Sequence, residues 1–416
     1  MEQNGCEPKK VRLFPLLLIN FINTLGFGLV LPFLVFLVDR FGGNAIVYGF
    51  IGAMYPAFQL IGAPILGRWS DLHGRKKILF ITQAGTLLSW IIFLLAFFTP
   101  VETLLEVNSA IFGAFIITIP LLILFIARSF DGLTGGNIAV ANAYLADITE
   151  EKDRNRNFGK MSISTNLGFI IGPALAGLLS ITMYGELIPV LAAALISLAG
   201  TIVIALYLPE SRQCTIKKPE KMGFREVIRI KNIPYMLLIY FLIFLGFNIF
   251  YTAFPLHAIK ALQWSVADMG IYFSVLGIIM IAVQGPVLSQ AVKKYSDAQL
   301  AIFGSIVLGT NFILLVTGNI ALTYLAAFFF ALGNGLMWPS ILSIISKLAG
   351  KEHQGAVQGF ASSFSSLASI VGLILGGFLY EILGGISFII AAAIVYTVFL
   401  LSFRMLSFER EVQEEV

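Results

Sequence analysis

Two ionisable side chains, Arg128 and Asp131, lie three residues apart deep inside an apolar stretch of this chain. On a helix that spacing puts a guanidinium and a carboxyl on one face, one turn apart. A charge in such surroundings costs at least about 2.5–3.5 kcal/mol, so each needs a partner or a water-filled cavity. Two chemistries fit. The pair could be a permanent ion bridge that fixes the helix, or Asp131 could take up and release a proton as its surroundings change, with Arg128 as modulator or as anchor for a carboxylate or phosphate group of a solute. Positions 128, 131, 135, 139 and 142 share one stripe, which adds Asn142 to the pair. Little else in the chain offers reaction chemistry. His73, His257 and His353 are scattered over different loops and make no metal site, and no Gly-Lys-Ser/Thr phosphate loop occurs, which argues against ATP-driven work.

The elements that hold the pair follow from composition. Of 416 residues 58% are hydrophobic and 12% charged, and the mean hydropathy is +0.90, which excludes a water-soluble enzyme. The 39 glycines and 37 phenylalanines suit helices packed in lipid. Hydropathy marks twelve apolar segments, near 13–37, 46–66, 78–98, 119–146, 158–183, 187–208, 233–256, 268–290, 298–318, 320–347, 357–380 and 386–404. Threaded alternately, they put every lysine and arginine except Arg40, Lys260 and Arg128 on one side. That asymmetry orients the chain with both termini cytoplasmic. The polar start of the chain gives no sign of a cleavable signal peptide. Cys6 and Cys214 then fall in cytoplasmic segments, so no disulfide is expected. No Asn-x-Ser/Thr sequon is present, which points mildly to a bacterial inner membrane.

Residues 209–231 form the one long polar run between spans. The expected domains are a six-helix bundle over 1–208, a cytoplasmic linker over 209–231 and a second bundle over 232–416. The halves read as copies, because Gly159, Ser162, Leu167, Ile170, Gly172, Leu175, Gly177 and Leu179 recur as Gly359, Ser362, Leu367, Ile370, Gly372, Leu375, Gly377 and Leu379 at a constant offset of 200 residues. Repeated halves with a site at their interface mark alternating-access transporters. Residues 99–119 read as a helix lying along the outer surface, or as an extension of the fourth span bent near Pro120.

After the second span, Gly67, Asp71, Gly74, Arg75 and Lys76 follow the pattern Gly-x-x-x-Asp-x-x-Gly-Arg-Lys. The glycines permit a tight loop, the cations hold it at an anionic surface, and Asp71 is available to cap a helix. The fourth span reads Arg128-Ser-Phe-Asp131-Gly132-Leu-Thr-Gly-Gly136, and the fifth carries Gly168, Gly172, Pro173 and Gly177. These features resemble the signature of the major facilitator superfamily, and within it the drug/proton antiporters of the tetracycline-efflux type. Gln354-Gly355 and Gln358-Gly359, entering the eleventh span, extend the likeness. The resemblance implies an all-α polytopic fold of twelve transmembrane helices in two pseudo-symmetric six-helix bundles. It also implies an inner gate in which Asp71 meets the amino end of the eleventh span, where the helix dipole favours a carboxylate by roughly 0.3–1 kcal/mol. Gly168, Gly172, Pro173 and Gly177 would form a smooth groove packed against the eighth span. Two departures stand out: Ala176 replaces one of two closing glycines, and Asn23 stands where an Asp is common in the first span. Asparagine cannot carry a proton, so coupling would rest on Asp131 or use no such site.

In that superfamily the first, fourth, seventh and tenth spans line the central cavity. Substrate-contact candidates are therefore Asn20, Asn23 and Phe27, Asn142, Tyr240, Phe244, Asn248 and Tyr251, and Asn334 with Trp338. Aromatic rings with neutral amides suit an amphipathic organic molecule. The chain thus reads as no enzyme but a secondary transporter of a small organic solute, exporting it against proton entry. It would use no cofactor beyond the proton gradient, work as a monomer in membrane lipid and have no nucleic-acid partner. The alternative is proton symport or facilitated import of an organic anion such as a carboxylate-bearing metabolite or siderophore.

Overall fold

A computed structural model describes residues 13–30, 33–109, 112–135, 137–149, 153–211 and 224–414. Cys6, Cys214, Gly136 and most of the expected linker lie outside the described residues. The elements are α1 (Phe14–Val30), α2 (Leu34–Arg40), α3 (Ala45–His73), α4 (Arg75–Leu95), β1 (Thr103–Ser109), β2 (Gly113–Thr118), α5 (Ile119–Thr134), α6 (Asn137–Ile148), α7 (Arg154–Ser180), α8 (Leu187–Tyr207), α9 (Phe224–Val227), α10 (Ile233–Lys260), α11 (Val266–Ala282), α12 (Leu288–Ala291), α13 (Asp297–Leu315), α14 (Ile320–Leu383), α15 (Ser387–Ser402) and α16 (Met405–Glu414). A π-helical turn, Val283–Val287, joins α11 to α12.

Among the described residues ten stretches are long and apolar enough to cross a membrane, and the bent pair α1 and α2 makes an eleventh. Gly350, at φ 64°, breaks α14 into two rods. The last of the ten stretches, Ala356–Arg410, is 55 residues long, well beyond the roughly 20 that one crossing needs. It turns at the 3₁₀ segment Gly384–Ile386.

One local reading is corrected. Residues 103–109 and 113–118 form neither a surface helix nor an extension of the fourth span but two paired strands, β1 beside β2. Ile116, Ile117 and Thr118 are β-branched and favour a strand. Pro120 then starts α5 in its first turn. The expected fourth span is covered by α5 and α6, and Ile119–Ile148 counts as one of the membrane-crossing stretches.

The chain divides into two compact units. The first comprises residues 1–43, 54–107 and 115–219, and the second 44–53, 108–114 and 220–416. In the first unit α1 packs on α7 and α8, and α4 on α5 and α8. Leu16, Ile19, Ile78, Val140, Tyr144 and Met161 belong to one buried cluster there. In the second unit α10 and α13 each pack on α14 and α15.

Close helix approach is built the same way in both units. A Cβ on Gly172 would lie 2.8 Å from the Cα of Gly28, and one on Gly168 would lie 2.8 Å from the backbone nitrogen of Leu25. The groove on α7 is therefore filled by α1, whereas the sequence reading set it against the eighth span. The reason is that Gly28 also lacks a side chain, so the two backbones touch. Gly372 and Gly376 of α14 meet Leu245 and Ile249 of α10 equally closely, at 2.9 Å and 2.8 Å from their carbonyl oxygens.

These contacts set a contrast between two glycines of α7. Gly172→Ala must force the α1 and α7 backbones apart, an overpacking cost of about 1–3 kcal/mol. A Cβ on Gly159 meets nothing within 4 Å, so Gly159→Ala gains helix propensity and is neutral or stabilising. Thermal unfolding of the two variants in detergent should show a lower midpoint for the first only.

Candidate functional site

The ion pair sits on α5 in the first unit. Arg128 and Asp131 are 5% and 8% exposed, and Arg128 Nη1 donates to Asp131 Oδ2 at 3.3 Å. Asp131 also has a hydrogen bond from the Thr86 side chain of α4. Two rings cover the guanidinium: its Cζ lies 5.1 Å from the centre of the Tyr55 ring and 5.8 Å from that of Phe27. The rings themselves are 5.2 Å apart. Stacking on aromatic faces adds to the carboxylate's compensation of the charge. Arg128 Nε is buried and has no hydrogen-bond partner.

Backbone geometry brings these groups together. At Gly132 a Cβ would lie 3.0 Å from the Cα of Tyr55, so α5 can touch α3 only because this position is glycine. At the end of α5, Gln59 of α3 donates its Nε2 to the Gly135 oxygen at 3.0 Å and to the Tyr55 hydroxyl at 3.3 Å. Sequence reasoning missed Tyr55, Gln59 and Thr86. Polar residues inside apolar spans were the available signal, since an amide or hydroxyl there needs a partner.

The amide candidates divide by what they touch. Asn20 is buried and its Nδ2 donates to the Met161 carbonyl at 3.2 Å and to Thr165 Oγ1 at 2.8 Å. Asn248 is its counterpart in the second unit, donating to the Phe244 carbonyl at 2.7 Å and to Ser369 Oγ at 3.0 Å. Both amides spend donors on neighbouring helices, α1 to α7 and α10 to α14. Asn23, half-buried on α1, keeps its Oδ1 buried and unpartnered. Phe27 lies on the guanidinium and packs edge-on against Phe169 at 5.8 Å. Asn142 is half-buried on α6.

In the second unit Tyr240, Phe244 and Trp338 form a mutual ring cluster with centres 4.7–5.3 Å apart. Tyr251 is half-buried and stacks on Phe247 at 5.8 Å. Asn334 is half-buried one turn before Trp338. The expected aromatic and amide face is thus present on α10 and α14, with the rings packed on one another.

The expected glycine-flanked loop is instead the last turns of α3 joined at Gly74 to the start of α4, and it carries an ionic knot. Arg75 Nη2 pairs with Asp71 at 2.6 Å and its Nε with Asp147 of α6 at 3.0 Å. Its Nη1 donates to Ser70 Oγ at 2.6 Å, and that hydroxyl donates to the Gly67 carbonyl at 2.6 Å. Gly74 holds φ at 98°, a backbone region costly for any residue with a Cβ. A Cβ there would also meet Glu210, whose carboxylate accepts the Lys76 backbone N–H at 3.0 Å. On α7, Gly168, Gly172, Pro173 and Gly177 are in place, with Gly172, Pro173 and Gly177 buried. The second unit has a matching knot: Lys347 Nζ and Ser343 Oγ both reach Asp297 Oδ2 at 2.6 Å.

Ten or eleven long apolar spans among the described residues, with a charge pair buried on one of them, define a polytopic helical membrane protein. A family model described as Major Facilitator Superfamily matches residues 16–317 and 236–416, and the chain belongs to that superfamily. It is similar to the class D tetracycline resistance protein of Salmonella ordonez, 27% identical over 376 residues that cover 88% of each chain. It is similar also to multidrug resistance protein 1 of Bacillus subtilis (strain 168), 30% identical over 390 residues, covering 90% of this chain and 91% of that one. Among solved structures, a D-xylose–proton symporter matches with TM-score 0.74 at 16% identity over 94% of this chain and 97% of its own. The human organic anion transporter MFSD10 matches with TM-score 0.67 at 20% identity, over 94% and 98%. These two speak for the fold. The chain is accordingly a secondary active transporter of a small organic molecule, embedded by many spans, and not an enzyme.

Removing one partner of a buried pair strands the other, at about 3–5 kcal/mol, whereas replacing both by apolar groups is far milder. Arg128→Leu should therefore unfold at a clearly lower temperature than Arg128→Leu/Asp131→Leu. The thermal midpoints of the purified variants check the order.

Proposed function

We propose that the chain exports an amphipathic organic solute in exchange for protons, with Asp131 as the group that carries the proton. The observation that supports this reading is the buried Arg128–Asp131 pair beside Asn23. The carboxylate common in the first span of related antiporters is replaced here by an amide, while a carboxyl stands one helical turn from the arginine of the fourth. Protonating Asp131 would release Arg128 from its counter-ion, which links proton binding to the arrangement of α5 against α3. One proton entering across 100 mV supplies about 2.3 kcal/mol, enough for roughly a 50-fold solute gradient. No cofactor is needed on this reading.

Export is favoured over import of an organic anion for two reasons. The relatives are named for tetracycline and multidrug resistance. Arg128 already has Asp131 and two ring faces as partners, which leaves little of its charge for an anionic solute. Phe27, Asn23, Tyr251, Asn334, Trp338 and Asn142 are the side chains proposed to meet the solute. The two six-helix halves would rock about a site between them, with Asp71 and the Arg75 knot governing the inner gate and Gly177 and Pro173 the bend of α7. The placement proposed is a monomer in the lipid of a bacterial inner membrane, both termini cytoplasmic, as the distribution of lysine and arginine favours.

Asp131→Asn tests the reading in proteoliposomes. The amide should leave solute binding and solute–solute exchange in place while pH-driven accumulation falls to the level of empty vesicles. Undiminished accumulation in this variant would remove Asp131 from the coupling role.

A further inference from the structure

The first turns of α3 and the tip of the hairpin, residues 44–53 and 108–114, both group with the second unit, although the rest of each element belongs to the first. One side chain at the end of α14 joins them. Glu381 Oε2 accepts the backbone N–H of Ala45 at 3.2 Å, while Asn44 Oδ1 accepts those of Ile46 and Val47 at 3.1 Å. Three of the unpaired N–H groups that open α3 are thereby satisfied. The carboxylate also faces the positive end of a 29-residue helix. Asn44 Nδ2 in turn donates to the Phe112 carbonyl of the hairpin tip at 2.8 Å. At Gly113, φ is 69°, and a Cβ would lie 2.8 Å from Glu381 Oε1. Lys260 of α10 stands 3.8 Å from the same carboxylate. One turn along, a Cβ on Gly49 would lie 2.6 Å from the Leu373 carbonyl and 3.3 Å from the Cα of Gly377, so the start of α3 rests on α14 backbone to backbone.

We propose that Glu381 is a latch. It holds the start of α3 and the hairpin tip on α14, and its release sets how readily the chain opens on that side. Alternating access requires α3 to leave α14 there. Leaving strips Ala45 of its acceptor and Asn44 of the hairpin carbonyl, and it leaves Glu381 with Lys260 alone. The glycines at 49, 113 and 377 are required by the closed arrangement, because each lies where a side chain would hold the parts apart.

The inference rests on alternating access but not on which group carries the proton, and its test needs neither solute nor pH gradient. In a chain carrying Cys6→Ser and Cys214→Ser, nitroxide labels go on Phe98→Cys and Ile386→Cys, positions 74% and 54% exposed, and pulsed electron resonance reads the distances between them. Glu381→Gln keeps an acceptor for the Ala45 N–H but removes the charge that faces the helix end, and is expected to raise the long-distance population about two- to fivefold, the size of a charge–dipole interaction. Glu381→Asp should fall between it and the unaltered carboxylate, and Gly113→Ala should move the same way. Lys260→Gln leaves the Ala45 contact intact and should shift the distribution less. An unchanged distribution in Glu381→Gln overturns the latch. A Lys260→Gln shift as large as that of Glu381→Gln overturns it too, since the ion pair would then be what holds. A latch that responds as expected while Asp131→Asn still accumulates solute would count against the proton reading and leave this one standing.

Discussion

A guanidinium among apolar side chains has to be compensated from several directions at once, and this requirement organises the first unit. Asp131 supplies the opposite charge from one turn away, and Tyr55 and Phe27 supply ring faces. For Tyr55 to reach, α5 must touch α3, which only a glycine at 132 permits. Thr86 of α4 adds a hydrogen bond to the Asp131 carboxyl. Four helices, α1, α3, α4 and α5, are thus tied together around one ion pair, because in a medium of low polarity an unanswered charge outweighs the small differences between one apolar packing and another.

The two units solve their packing with the same parts. An asparagine amide stitches α1 to α7 and α10 to α14, and glycines on the second helix of each pair let the backbones close. Where lipid surrounds the helices, burial of apolar area gives little preference for one partner over another. Close contact and amide bonds therefore carry the specificity. The repeated residues at a spacing of 200 mark the helices on which this arrangement depends.

Much of this was legible in the sequence. Long apolar runs fix the spans, since an unpaired backbone in lipid is too costly for anything but helix or closed barrel. The pair at 128 and 131 was legible because charge is so rare there. The glycine-flanked loop was legible because its spacing is specific. What sequence spacing did not convey was which surfaces meet. Asn20 and Asn248 have the character of solute contacts, yet their donors are taken by neighbouring helices. Gly168 and Gly172 announce a groove without saying that α1 fills it. Gln59 and Glu381 matter through backbone groups they reach on other elements, the Gly135 carbonyl and the Ala45 N–H, and nothing in their own surroundings advertises that. Residues 103–118 misled because a short, half-apolar stretch satisfies either helix or strand until its pairing is known.

The knots beside α4 and α13 carry opposite polarity. Asp147 and Lys347 stand at the same register of the repeat, 200 residues apart, but the first answers an arginine at the start of α4 and the second an aspartate at the start of α13. At this one register the two halves therefore carry opposite charges. A chimera that grafted the end of one rod onto the other half would set Lys347 against Arg75, or Asp147 against Asp297, and meet repulsion in place of a bridge. The two repeats are in this respect a pair of modules, each keyed to its own side.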